Sequence, residues 1–325
     1  MMITVYAMCG ERIERFEGTG AEVPLASAAW IDLLAPSAEE IAAVEAALGL
    51  KIPAREQMQE IETSSRLKRD PHSLCLTVSL LANVSTPKPQ IGAVTFILSH
   101  QRLVTIRYSE PYSFQVFSDL ATEDASVCSS GTLAMIGLFG AVIDRLADIV
   151  EMAGQDVEAL ALEIFSQADH SAGRQNYKGL IQRIGRIGDI ISKSRESMMS
   201  LSRALTFLSL TAAEIGAKKD LRNRLKTESQ DLASVSLYAD FVNDKITFIL
   251  DATLGLVAQQ QNNIMKIFSV LAMVFLPPTL IGSVYGMNFK DMPELDWHFG
   301  YPMALVLMLF SAVLPYLFFK RKGWL

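Results

Sequence analysis

The sequence predicts an α/β cytoplasmic domain, followed by long stalk helices and a two-helix transmembrane hairpin. Three observations predict it. Short β-rich runs separated by turn residues fill roughly the first 130 residues. No proline then occurs between Thr132 and Leu276, where apolar residues recur at helical spacing. Finally, neither Ile267 to Tyr285 nor Phe299 to Phe319 contains a charged residue, so each span approaches the roughly 20 residues that cross about 30 Å of hydrocarbon.

Candidate strands are Ile3 to Met8, Ala29 to Leu33, Leu74 to Leu81, Gly92 to Leu98 and Arg102 to Tyr108, each bounded by Gly, Pro, Ser or a charged pair. Between the second and third, Ser37-Ala38-Glu39-Glu40 has the form of a capping box; it opens a helix through Leu48 that Gly49 ends. The segment Pro53 to Arg69 reads as a second helix. Beyond Thr132, breaks near Asp169 to Gly173 and near Gly216 divide the helical half into three helices. The last starts around Lys218 and meets no proline before Pro277, so one helix is expected to run from the cytoplasm into the bilayer. Pro277-Pro278 removes two backbone donors in mid-span and predicts a kink there.

The expected layout is an α/β domain over 1–130, a helical region over 131–217 and a stalk helix over 218–263. A first, pore-lining span follows over 264–285, then a loop over 286–298, a second span over 299–319 and a basic tail over 320–325. Lys266 precedes the first span and Lys320-Arg321-Lys322 follows the second, whereas the loop sets Lys290 against Asp291, Glu294 and Asp296. By the positive-inside tendency both termini are cytoplasmic, with the protein multi-pass in the cell (inner) membrane. The opening Met1-Met2-Ile3-Thr4-Val5-Tyr6 lacks the charged and apolar regions of a signal peptide.

Composition narrows the function classes. A formal net charge of −6 argues against nucleic-acid binding and is compatible with attraction for cations. Cys9, Cys75 and Cys128 lack metal-type spacing. The four histidines, His72, His100, His170 and His298, are scattered, and no phosphate loop, nucleophile elbow or zinc motif appears, so the chain is not expected to be an enzyme.

One helical face stands out. Counting back from the loop in alternating steps of four and three gives Ser283, Thr279, Leu276, Ala272, Ser269, Met265, Asn262, Ala258, Gly255 and Asp251. The face is small and polar, while flanking positions such as Phe268, Leu271, Phe275 and Leu280 are bulky and apolar. Small and hydroxyl residues serve close helix packing in membranes, and that explanation stands beside a pore. Asn262 and Asp251 continue the stripe below the span, where packing against lipid is irrelevant. Two spans per chain cannot enclose a channel, so a pore implies cyclic assembly. Each stripe residue then becomes a ring; oxygen-bearing rings suit a hard, hydrated cation, and the apolar rings Met265 and Leu276 suit gating by dewetting.

The loop carries a resemblance. Tyr285-Gly286-Met287-Asn288, with Met292-Pro293-Glu294-Leu295, Trp297, Phe299-Gly300-Tyr301-Pro302 and the tail Lys320 to Leu325, resembles the Gly-Met-Asn signature region of CorA-type divalent-cation transporters. Phe275-Leu276-Pro277-Pro278-Thr279-Leu280 adds to it, and Arg203-Ala204-Leu205 is a local echo. The resemblance implies a pentameric, funnel-shaped channel: a homopentamer in the lipid bilayer that passes hydrated Mg²⁺, with Co²⁺ or Ni²⁺ as further cargo. No organic cofactor is implied.

The resemblance puts the signature Asn288 at the outer mouth, with Gly286 turning the helix end, Met287 packing the turn and Glu294 concentrating cations. It also implies gating by intracellular Mg²⁺ bridging acidic groups between subunits. Asp251 matches such a stalk position, and Glu228, Asp231, Asp240 and Asp244 are further candidates. The alternatives are a Zn²⁺ or Co²⁺ transporter of the same fold, although the stripe lacks the His or Cys that zinc prefers, and a membrane-anchored sensor or scaffold.

Overall fold

The computed structural model describes residues 2–10, 12–18, 22–60, 62, 66–71, 73–86, 88–168, 176–214, 218–288, 292–293 and 297–323. They form two compact units, Met1–Ile249 and Leu250–Leu325.

The first unit is built on a seven-stranded sheet. Its strands are β1 (Met2–Cys9), β2 (Arg12–Gly18), β3 (Ala28–Leu34), β4 (Leu67–Arg69), β5 (Ser73–Ala82), β6 (Gln90–Ser99) and β7 (Arg102–Arg107), in spatial order β2-β1-β3-β7-β6-β5-β4. Every pairing is antiparallel except β3 with β7 at the centre, where Asp32 lies opposite Thr105 and Leu34 opposite Arg107. A central strand covered on both faces reads as continuously apolar, and β3 is buried from Ala28 to Leu33.

Helices cover both faces. α1 (Ala38–Leu48) starts as its sequence dictates: Ser37 Oγ accepts from the Glu40 amide, the Glu40 carboxylate accepts from the Ser37 amide at 2.7 Å, and Gly49 ends the helix at φ 63°. Only glycine takes that left-handed geometry without strain. Ile3, Val5, Ile31, Leu33, Val104 and Ile106 of the sheet form one core with Val44 of α1 and with Met58. On the other face, Trp30 and Phe96 meet Phe114 and Phe117 of α3 (Tyr112–Glu123) and Phe139 of α4 (Gly131–Ala168). Then come α5 (Tyr177–Glu214), α6 (Lys219–Tyr285) and α7 (Gly300–Arg321).

Three elements differ from the sequence expectation. Of the helix expected over Pro53 to Arg69, the described residues include α2 (Arg55–Met58), residues 61 and 63–65 lie outside the described residues, and Leu67–Arg69 instead pairs with Leu74–Leu76 as β4. Ladder formation with β5 outweighs local helix propensity there. β2 is an additional edge strand; of its residues only Ile13 is buried, so its charge-rich sequence carries little apolar signal. α3 was also not anticipated, although Pro111 before Phe114, Phe117 and Ala121 marks a helix start and a buried face.

In the first unit, α6 buries Leu225, Leu232, Ala239, Val242, Ile246 and Ile249, a seam with coiled-coil spacing. Tyr238 approaches Gly154 so closely that a Cβ there would sit 2.6 Å from its hydroxyl. The second unit comprises the remainder of α6 with α7. Met308 lies over Gly282, while Leu314 and Phe318 line a cleft with Met273, so the two helices pack antiparallel.

Candidate functional site

Both helices of the second unit contain stretches long and apolar enough to cross a membrane, and these stretches are only 6% and 11% buried. The core helix of a soluble protein would be mostly buried, so these apolar faces need a hydrocarbon environment or other copies of the chain.

Within α6 the two sides of the helix differ in what they touch. Val270 is buried, and Val274, Pro277, Pro278, Ile281, Gly282 and Tyr285 are half-buried. At about 100° per residue these positions lie on one face, the face turned to α7. The stripe residues Asp251, Gly255, Ala258, Asn262, Met265, Ser269, Ala272, Leu276, Thr279 and Ser283 are all exposed, and Met265 and Leu276 are each 65% exposed. From Met265 to Ser283 the stripe is centred about 180° from the α7-facing side. The small residues therefore do not serve close packing between the two helices of this chain. Bulky Ile264, Phe268, Leu271 and Phe275 are exposed on one flank, and Met273, Leu280 and Val284 on the other.

The helix runs unbroken through both prolines. Thr279 Oγ1 donates to the Phe275 carbonyl at 2.7 Å, and Ser269 Oγ donates to the Met265 carbonyl at 2.8 Å. Each hydroxyl oxygen retains acceptor capacity on the exposed face.

At the end of α6 the Gly286 amide donates to the Gly282 carbonyl at 3.0 Å, and the Met287 amide to the Val284 carbonyl at 3.3 Å. The helix ends at Tyr285 and Gly286 follows as a turn residue without positive φ; Gly10, Gly49 and Gly323 are the glycines with positive φ among the described residues. What position 286 demands is closeness: a Cβ there would stand 3.0 Å from the Gly282 oxygen. Met287 is 46% exposed, and Asn288 beyond it is exposed. Glu294, with Lys290, Asp291 and Asp296, lies outside the described residues. Gly282, Tyr285, Gly286, Trp297, His298 and Tyr301 line a cleft of about 350 Å³ beside the signature.

The acidic candidates separate. Asp251 and Asp244 are exposed, and Asp240 Oδ1 lies 2.9 Å from Arg195 Nε. Glu228 sits against α4, so that a Cβ on Gly140 would meet its carboxylate at 3.2 Å. Partial burial raises the Glu228 pKa above the ordinary carboxylate range, with further contributions from the charges of Asp144 and Asp231. Asp144 is raised too, by desolvation first and then by Asp148 and Asp231. Sequence reading missed Asp144 because it reaches the group from another helix. Among the described residues, no three His, Cys, Asp or Glu side chains gather into a metal-holding group.

The sequence profile described as CorA-like Mg²⁺ transporter protein matches residues 26–321. The chain belongs to this family. The magnesium transport protein CorA of Escherichia coli K12 is 32% identical, with all of both chains covered, and that of Pasteurella multocida is 34% identical over the same extent. The complete structure of the CorA magnesium transporter from Methanocaldococcus jannaschii superposes with a TM-score of 0.75, covering 100% of this chain and 98% of that one at 16% identity. At that identity the likeness speaks for the fold: the CorA fold is an α/β domain, a long helix and a C-terminal apolar helix, as found here.

Proposed function

We propose that the protein is a channel for Mg²⁺ uptake across the cell inner membrane, driven by the electrochemical gradient. The observation that carries this reading is the position of the small, polar stripe of α6, exposed and turned away from the second span. A face that neither lipid nor α7 satisfies is complete when several copies surround one axis, and the family relationship makes Mg²⁺ the cargo. In this reading five copies form the channel, α6 faces the axis and α7 lies outside it. The apolar flanks of α6 pack against neighbouring copies, and both termini are cytoplasmic.

The residues then act in order along the axis. Asn288 rings the outer mouth. Mg²⁺ gives up its waters reluctantly, and neutral carboxamides hydrogen-bond its hydration shell without trapping it as carboxylates would. Glu294 raises the local cation concentration. Ser283, Thr279, Ala272, Ser269 and Asn262 line a water-lined path between the narrow apolar rings Leu276 and Met265, which close it by dewetting. Gly286 fixes the approach of the loop, and Met287 packs between copies. Co²⁺ and Ni²⁺ share the route.

Intracellular Mg²⁺ regulates the channel at Asp251. One exposed carboxylate is not a site on its own, so the remaining ligands there come from a second copy. Each inward Mg²⁺ moves two charges, worth about 4.6 kcal/mol per 100 mV of inside-negative potential.

The test is Mg²⁺ influx into proteoliposomes under such a potential. The wild-type protein admits Mg²⁺, and Asn288→Ala abolishes influx while the oligomer keeps its size. Wild-type flux from a well-assembled Asn288→Ala protein would refute the assignment.

A further inference from the structure

The first unit contains a polar cleft of about 410 Å³ between α2, the start of β6, the end of β7 and α5. Two guanidiniums line it, those of Arg55 and Arg66, and neither is ion-paired among the described residues. Other arginines of the unit are paired: Arg107 with Asp32, Arg183 with Glu163, and Arg195 with Asp240. What sets Arg55 and Arg66 apart is that they share one cleft with no carboxylate paired to either among the described residues, in a chain where acids outnumber bases by 35 to 29.

Both are held in place by uncharged groups. The Arg55 guanidinium stacks 4.6 Å above the Tyr108 ring, an arrangement that orients the plane and leaves its edge donors unused. Arg66 Nη1 donates to Ser79 Oγ at 3.0 Å, and its Nε to the Glu60 carbonyl. Ser109 also lines the cleft, and its hydroxyl has no hydrogen-bond partner among the described residues. A Cβ on Gly92 would lie 2.2 Å from that oxygen, so glycine at 92 is what leaves the hydroxyl its place. The single carboxylate along this lining is Glu196, which is exposed.

We infer that this cleft binds a phosphate-bearing small molecule. Planar guanidinium forks match phosphate oxygens two at a time, and an anion there neutralises two charges that are in no ion pair among the described residues. The cleft falls in the size range of small-molecule sites, so it has room for an organic remainder beside the phosphate.

Isothermal titration of the full-length protein in detergent, with inorganic phosphate and separately with ADP at matched ionic strength, tests this. Saturable binding is expected, weakened about tenfold or more by Arg55→Gln, the loss of one charge-assisted contact. Arg55 is exposed, so the variant should keep the wild-type unfolding temperature. Lys51→Gln, which removes the same charge from an exposed position outside the cleft, should bind as wild type. Tighter ADP than phosphate identifies contacts to the organic part, and equal affinities identify the phosphate alone as the ligand. Absence of saturable binding to either probe, wild-type affinity in Arg55→Gln, or an equal loss in Lys51→Gln would overturn the inference.

Discussion

In the first unit, a buried carboxylate finds its partners within its own chain. Asp32, 5% exposed, receives Arg107 Nη2 at 2.8 Å and Thr105 Oγ1 at 2.6 Å, while Trp30 Nε1 donates to Thr105 at 3.0 Å and Tyr6 to Ser118 at 2.6 Å. In the second unit Asn262, Thr279, Ser283 and Asn288 are exposed, and so are Phe268, Leu271 and Phe275. Around Asp32 the first unit pairs its polar groups inside a covered core, whereas along α6 the second unit leaves polar and bulky apolar side chains exposed together. The difference teaches that the core of the first unit is specified by one chain, whereas in the proposed channel the second unit is completed by a bilayer and by other copies. A mutation in the first should therefore register first as stability, and one on the stripe first as transport.

The largest expected effect on stability breaks the buried pair. Asp32→Ala leaves the Arg107 guanidinium buried without its partner and is expected to cost about 3–5 kcal/mol, seen as a lower unfolding temperature of the full-length protein in detergent. A smaller loss, about 1 kcal/mol, is expected of Ser37→Ala, because the Glu40 amide loses its cap. On the stripe, Ser269→Ala should move stability by less than about 0.5 kcal/mol, its side chain being exposed, yet lower Mg²⁺ flux in proteoliposomes. A drop in unfolding temperature as large as that of Asp32→Ala would erase the contrast.

The smallest effect concerns Glu228. Its pKa is raised in the folded protein, so the folded state holds a proton over a pH range where the unfolded chain has released it. Stability therefore falls as pH rises through that range and is regained on acidification. Glu228→Gln should raise the unfolding temperature slightly at neutral pH, and the gain should shrink as pH falls through the raised pKa. A gain independent of pH would assign the effect to packing against Gly140 instead.

Much of this architecture was legible because it follows from periodicity within single elements. β1, β3 and β5 to β7 carry apolar runs between turn residues, Ser37 and Glu40 announce α1, and the stripe of α6 needs no more than the spacing of one helix. Pairing between elements was less legible. β2 and β4 exist because β1 and β5 offer them ladders, and Asp144 meets Glu228 only because α4 and α6 pack together. Sequence also does not distinguish which side of α6 faces α7, since Val270, Val274 and Ile281 are as apolar as the exposed Phe268 and Leu271. The position of Gly286 was legible from the signature, whereas the 3.0 Å approach that a Cβ there would make to the Gly282 carbonyl oxygen was not.

The central claim is that the exposed stripe of α6 faces the ion path. Single cysteines on opposite sides of the helix test it most directly. Burial pushes Cys75 up to about 11 and Cys128 up to about 12, so both stay protonated and unreactive near neutral pH, and replacing the exposed Cys9 by Ser gives a quiet background. With a membrane-impermeant cationic thiol reagent, Thr279→Cys and Ser283→Cys should be modified and Mg²⁺ flux blocked, whereas Val274→Cys and Ile281→Cys should be spared. Block through positions 274 and 281, with 279 and 283 unmodified, would contradict the account.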